Sequence, residues 1–218
     1  WVAGYDGGSW ADGSKDHVPM QTEAFAEQLT RFRAAVPWII ANQQFHQLGS
    51  HDTMRFLNIC KGDTAKVKLG LALIMTYPGV PCVYYGDEIG LPGGVDPDNR
   101  RPMPWNEASW DLDLLAYYKT FIALRRNNPA LKTGGFQMLY AEGNTYAFGR
   151  QSPEQHIVVI AHRGDGPYKA FQLLARAASI ADGTALTDLV SGAVYVVVNG
   201  YVTLDIGPFQ TILMDLGK

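Results

Sequence analysis

From Thr22 onward the apolar positions fall into a helical rhythm. Ala24, Phe25, Leu29 and Phe32 share one stripe, which predicts an amphipathic helix with Thr22 as its N-cap. Pro37 predicts its end or a kink. Phe45 to Leu48 predicts a short strand leading into Gly49-Ser50-His51-Asp52. Asp63 or Thr64 then caps a second helix through Val67, Leu69, Leu71, Leu73, Ile74 and Met75. It is apolar nearly all round, so burial on most sides is expected. Pro78-Gly79 stops it. Pro81 to Tyr85 follows as a continuous apolar run ending at Gly86, the pattern of a strand covered on both faces. Leu91 to Pro104 is a long loop rich in Gly, Pro and Asp. A third helix spans roughly Leu112 to Asn127, with Leu114, Leu115, Tyr118, Ile122 and Leu124 on its inner side. Strand and helix in alternation predict a parallel α/β structure, but two such units cannot close a barrel of eight.

The rhythm changes after Gly134. Phe136–Ala141, Thr145–Arg150, His156–Ala161, Tyr168–Leu174, Val194–Val198, Tyr201–Ile206 and Thr211–Met214 read as short strands separated by turn residues. Asn199-Gly200 between two apolar runs predicts a hairpin. The expected organisation is an α/β unit over residues 1–133 and an antiparallel β domain over 134–218, with Trp1 to Met20 as a loop.

Composition narrows the function classes. Of 218 residues, 18 are basic and 21 acidic, giving a net charge of -3 with no basic stretch, so nucleic acid is not an expected partner. No apolar run is long enough to span a bilayer, and no membrane partner is expected. Cys60 and Cys82 each stand beside apolar residues and fit buried, reduced thiols of a cytoplasmic protein. With no nearby His pair they make no metal site, and no cofactor is expected. Aromatic residues, including 5 Trp and 11 Tyr, suit sugar rings and ordinary cores alike. The start at Trp1, without a basic leader, is read as a sign that upstream sequence is missing.

Three clusters carry candidate chemistry. His51-Asp52 follows a predicted strand, where a barrel places its active site. An imidazole beside a carboxylate can bind sugar hydroxyls and stabilise an oxocarbenium-like charge; a capping Asp and a structural His fit the spacing equally. Asp87 and Glu88 follow the next strand, and neighbouring strands lie ~4.8 Å apart, so either acid can share a mouth with Asp52 or tie down its own loop. Asp96 stands four residues before Arg100 on a Pro-stiffened loop, a spacing that suits a fork for sugar hydroxyls or a surface salt bridge. Trp105 beyond it can stack on a ring or anchor the loop.

These stretches resemble the α-amylase family. Leu48-Gly49-Ser50-His51-Asp52-Thr53 with Arg55 is similar to the family's seventh-strand motif, and Tyr77 through Gly90 to its eighth. Asp96-Pro97 through Arg100-Arg101 and Pro104-Trp105 resemble the loop of the neopullulanase, cyclomaltodextrinase and maltodextrin glucosidase branch. Leu124-Arg125-Arg126 with Pro129-Ala130-Leu131 is also typical of that branch. The resemblance covers roughly residues 42 to 135.

It implies the C-terminal portion of a TIM (β/α)8 barrel followed by an antiparallel all-β sandwich domain, and a retaining glycosidase acting on α-glucosidic bonds of maltodextrins or cyclodextrins. Asp52 would be the transition-state-stabilising carboxylate. His51, Asp96 and Arg100 would bind the α-glucan oligosaccharide, and Asp87 and Glu88 would support the loop. The family's nucleophile and acid/base motifs do not occur in this sequence, so association with a missing barrel segment or with a second copy is expected. In a second copy, Asp52 with Asp87 or Glu88 would be the alternative acid pair. A non-catalytic glucan-binding module is the other reading. The helix from Lys66 to Met75 and the strand from Pro81 to Tyr85 are the expected contact surface.

Overall fold

The computed structural model describes residues 1–3 and 20–217, so most of the loop expected over Trp1 to Met20 lies outside the described residues. Helix α1 (Thr22–Ala34) and the short α2 (Trp38–Ala41) meet at Pro37. Thr22 is the first residue of α1 and not its cap. Its hydroxyl is buried, donating to the Gly143 carbonyl at 2.5 Å and accepting from the Trp1 indole at 2.8 Å. Tertiary partners therefore took the hydroxyl that a cap would have used.

Strands β1 (Phe45–His46) and β2 (Val80–Pro81) pair in parallel, both shorter than their apolar runs predict. The short α3 (Phe56–Ile59) and then α4 (Thr64–Thr76) run between them. Asp63 caps α4 as expected, accepting from the amides of Ala65 and Lys66. Cover on both faces does not extend to the second apolar run: Cys82, Val83 and Tyr85 are exposed. An apolar run states that cover is wanted, while a strand exists only where a neighbour supplies hydrogen bonds. Among the described residues only β1 pairs with β2. Of the two cysteines, Cys60 is buried as predicted and Cys82 is not.

Helix α5 (Leu112–Asn127) matches its predicted span, but its buried side differs. Leu114, Tyr118, Phe121 and Arg125 are buried, whereas Ile122 is exposed. Helix α6 (Pro129–Thr133) then leads into the β region. Strands β3 (Gly135–Glu142), β4 (Thr145–Ser152), β5 (Gln155–His162), β7 (Ala185–Asp188), β8 (Val194–Val196) and β10 (Thr211–Asp215) form one sheet in the order β3-β4-β5-β10-β7-β8. β6 (Tyr168–Leu174) and β9 (Tyr201–Ile206) form a second, two-stranded sheet.

The central strands β4, β5 and β10 of the larger sheet are buried on both sides. Tyr146, Phe148, Ile157, Val159 and Leu213 pack with α4, α5 and α6; Ala147, Val158, Ile160, Ile212 and Met214 pack with Phe171, Leu173, Val202 and Leu204 of the smaller sheet. Helix α5 together with this sandwich, not a cover supplied by β2, is what buries α4. The expected Asn199-Gly200 turn is present, both residues having positive φ and Val198 and Tyr201 bonded across it. The expected hairpin is not, because β8 pairs with β7 and β9 pairs with β6. The turn passes the chain from one sheet to the other.

Candidate active site

The site forms where the chain leaves β1. Residues 50–53 make a tight turn held by its own side chains: Thr53 Oγ1 accepts from the Ser50 amide at 3.1 Å, and Ser50 Oγ accepts from the Asp52 amide at 3.1 Å. His51 and Asp52 project outward, their side chains 64% and 71% exposed, with His51 Nε2 3.2 Å from Asp52 Oδ2. Such exposure leaves both side chains accessible from solvent.

The 93–101 loop brings the remaining predicted residues to the same place. Arg100 Nε lies 2.8 Å from Asp96 Oδ1 and donates to the His51 carbonyl at 3.1 Å, while its Nη2 lies 3.8 Å from Asp52 Oδ1. One guanidinium therefore joins His51, Asp52 and Asp96 on a single open surface. The arrangement offers carboxylate acceptors, guanidinium donors and an imidazole, a set that fits sugar hydroxyls. Trp105, beyond this loop, is 81% exposed, so it does not anchor the loop.

Asp87 and Glu88 sit differently. Asp87 Oδ1 accepts from Arg55 Nη1 at 2.8 Å, and both side chains are almost wholly buried. The same Nη1 donates to the Tyr85 carbonyl at 2.7 Å, and the guanidinium lies 4.6 Å from the Tyr84 ring centre and 4.9 Å from that of Tyr85. Asp87 also crosses above Gly49, where a Cβ would meet Oδ2 at 2.8 Å; glycine is what lets the two motifs touch. Both acids adjoin α5, since the Tyr118 phenol is pushed up by burial first and then by the charges of Asp87 and Glu88. Sequence reasoning left Arg55 without a role, and assigned none to Asn99, whose amide is buried beneath the site. The one available signal was Arg55 at a fixed three-residue offset from Asp52.

Burial pushes the Asp87 carboxyl up to about 6, with the Arg55 charge and hydrogen bond pulling it back. Its ordinary value is 3.8, so between roughly pH 4 and 6 the folded protein holds more protons than the unfolded one. Asp87's contribution to stability is then expected to fall as pH rises through that window and to level off above it. Asp87→Asn should remove this slope. Thermal melts of both proteins from pH 4 to 7 check it, and parallel profiles would contradict it.

Residues 8–111 match the alpha-amylase catalytic domain family. Neopullulanase 2 of Thermoactinomyces vulgaris is 36% identical over 91% of this chain and 34% of its own length. A cyclomaltodextrinase of Bacillus sp. is 42% identical over 66% of this chain and 26% of its own. The solved debranching enzyme of Nostoc punctiforme superposes with a TM-score of 0.80 at 28% identity, covering 98% of this chain and 45% of that one. The chain thus spans about a third or less of these two curated relatives. By sequence and by fold, the chain belongs to the α-amylase family of glycoside hydrolases, of which it carries the last part of the barrel and the β sandwich.

Proposed function

We propose that this chain supplies the third carboxylate and a sugar-binding subsite to a retaining hydrolase of α-glucosidic bonds in maltodextrins or cyclodextrins. The observation that carries this reading is the Arg100 side chain, which draws Asp52, His51 and Asp96 into one exposed cluster beyond the end of β1. In this reading Asp52 lends negative charge to the cation-like transition state, and its effect grows as charge develops at the anomeric carbon. His51 and the Asp96–Arg100 fork hold sugar hydroxyls in place. Retention requires two further carboxylates on the order of 5 Å apart. Those come from barrel motifs that this sequence does not contain, and Asp87 and Glu88 serve the loop.

A glucan-binding module is the second reading, favoured by the fork being complete within this one chain. Maltotriose titration by calorimetry, run beside a reducing-sugar assay on the chain alone, separates the two. Binding that persists with no turnover even after the other carboxylates are supplied would favour the module.

The same reading assigns a partner surface that keeps one half of the expected one: Val83 and Tyr85 of the Pro81–Tyr85 run are exposed. The Lys66–Met75 helix is covered by the sandwich, so it is not available. Apolar surface remains on α1, α2 and the β1–β2 edge: Phe32, Ile39, Ile40, Phe45 and Val80 are all exposed. Large apolar side chains exposed together mark an interaction face. The chain is expected to associate, either with further barrel segments or with itself, and light scattering at micromolar concentration checks it. A sharp monomer peak would contradict it.

A further inference from the structure

The two halves of the site come from segments more than forty residues apart, and one side chain spans them. Asn99 is fully buried, and its Nδ2 donates to the His51 carbonyl at 2.7 Å, to Thr53 at 2.9 Å and more weakly to Ser50 at 3.4 Å. Three carbonyls converging on one atom identify it as the amino group of the amide. Its Oδ1 is buried without a partner. A buried amide with an idle acceptor is costly, so this side chain is used for its donors.

The surroundings are tight. Gly93 faces Asn99, and a Cβ there would lie 2.8 Å from Asn99 Cα and 3.2 Å from Arg55 Cδ. The Arg55 amide donates to the Gly93 carbonyl at 3.1 Å. Asp98 closes the loop on itself, accepting from the Gly94 amide at 2.6 Å and from Arg101 Nε at 2.7 Å. The loop is therefore a compact body, and Asn99 is its polar peg into the 50–53 turn. Next to it, Arg100 reaches the same His51 carbonyl from outside. We propose that Asn99 is a positioning residue that sets the register between the sugar-binding fork of Asp96 and Arg100 and the carboxylate of Asp52. The inference rests on the hydrolase reading for its kinetic consequence and on the buried contacts alone for its structural one.

Asn99→Asp keeps the shape and turns a donor into an oxygen facing three carbonyls; Asn99→Ala is the gentler variant should that one fail to fold. On the chain itself, amide hydrogen exchange at residues 50–54 and 94–101 is expected to rise about tenfold or more, while the β strands keep their protection. In a completed barrel hydrolysing maltotriose, either variant should lower kcat/KM by about a hundredfold, the scale of a misplaced reacting group. Combined with Arg100→Ala, the loss should be well short of the product of the single losses, because both act through one fork. A purely structural role would lower the amount of folded enzyme and leave the losses multiplicative. Unchanged exchange in both variants, or multiplicative losses, would overturn the proposal. An inactive wild-type barrel would instead count against the hydrolase reading, and the exchange result would still decide whether Asn99 joins the two segments.

Discussion

Asp52→Asn, tested where the barrel is complete, is expected to lower kcat by roughly a hundred- to a thousandfold while KM stays within about threefold. The substitution keeps the size, removes the charge and turns one of the two acceptor oxygens into a donor. In the ground state that charge faces neutral hydroxyls beside Arg100 and His51, so little binding is lost. In the transition state it faces a developing cation, and the loss appears there. The 71% exposure of the side chain means that water screens it until a sugar covers it, which ties its effect to the occupied site. Steady-state kinetics on maltotriose measures both constants. A raised KM with an unchanged kcat would make Asp52 a binding residue.

The second large effect concerns the frame that holds the site. Helix α4 ends with orphan carbonyls, as every helix does, and here they are buried. Arg125 donates to the Met75, Tyr77 and Gly79 carbonyls, and Arg150 donates to Thr76 at 2.5 Å, Gly134 at 2.9 Å and Gly135 at 3.2 Å. Arg150 is fully buried and lies in β4, so it ties the helical layer to the sheet. Burial pushes its guanidinium down to about 9, which still leaves it charged at neutral pH. Arg150→Met should cost about 3–5 kcal/mol, since charge-assisted bonds to three carbonyls, two of them buried, go at once. For a chain of this size that corresponds to a fall in melting temperature of about 6–20 °C. Calorimetric melts decide it, and a shift of under about 2 °C would show that water satisfies the carbonyls instead.

The first prediction rests on a residue legible in the sequence, the second on one that was not. The order of strands and helices, the Asp63 cap and the His51-Asp52 and Asp96-Arg100 clusters were legible, because each is a local pattern with a local cause. Arg125 and Arg150 were not. A charged residue amid apolar ones reads as surface, and only the fold shows which helix end it must serve. The same holds for Asn99, an ordinary loop residue until three carbonyls gather around it. Ala185–Asp188 was missed because its alternation is short and follows a Gly-Thr turn. The Pro81–Tyr85 run shows the opposite error: apolarity was read as a strand, but pairing stops after Pro81.

If this chain supplies one catalytic carboxylate of three, reducing-sugar release from complementary halves will report it. The chain is mixed with a barrel segment that brings the two other carboxylates, and maltotriose hydrolysis is followed for each half and for the mixture. Either half alone is expected to be silent, the mixture to turn over, and the mixture made with Asp52→Asn to be nearly silent. Full turnover by this chain alone, or a mixture indifferent to Asp52→Asn, would contradict it.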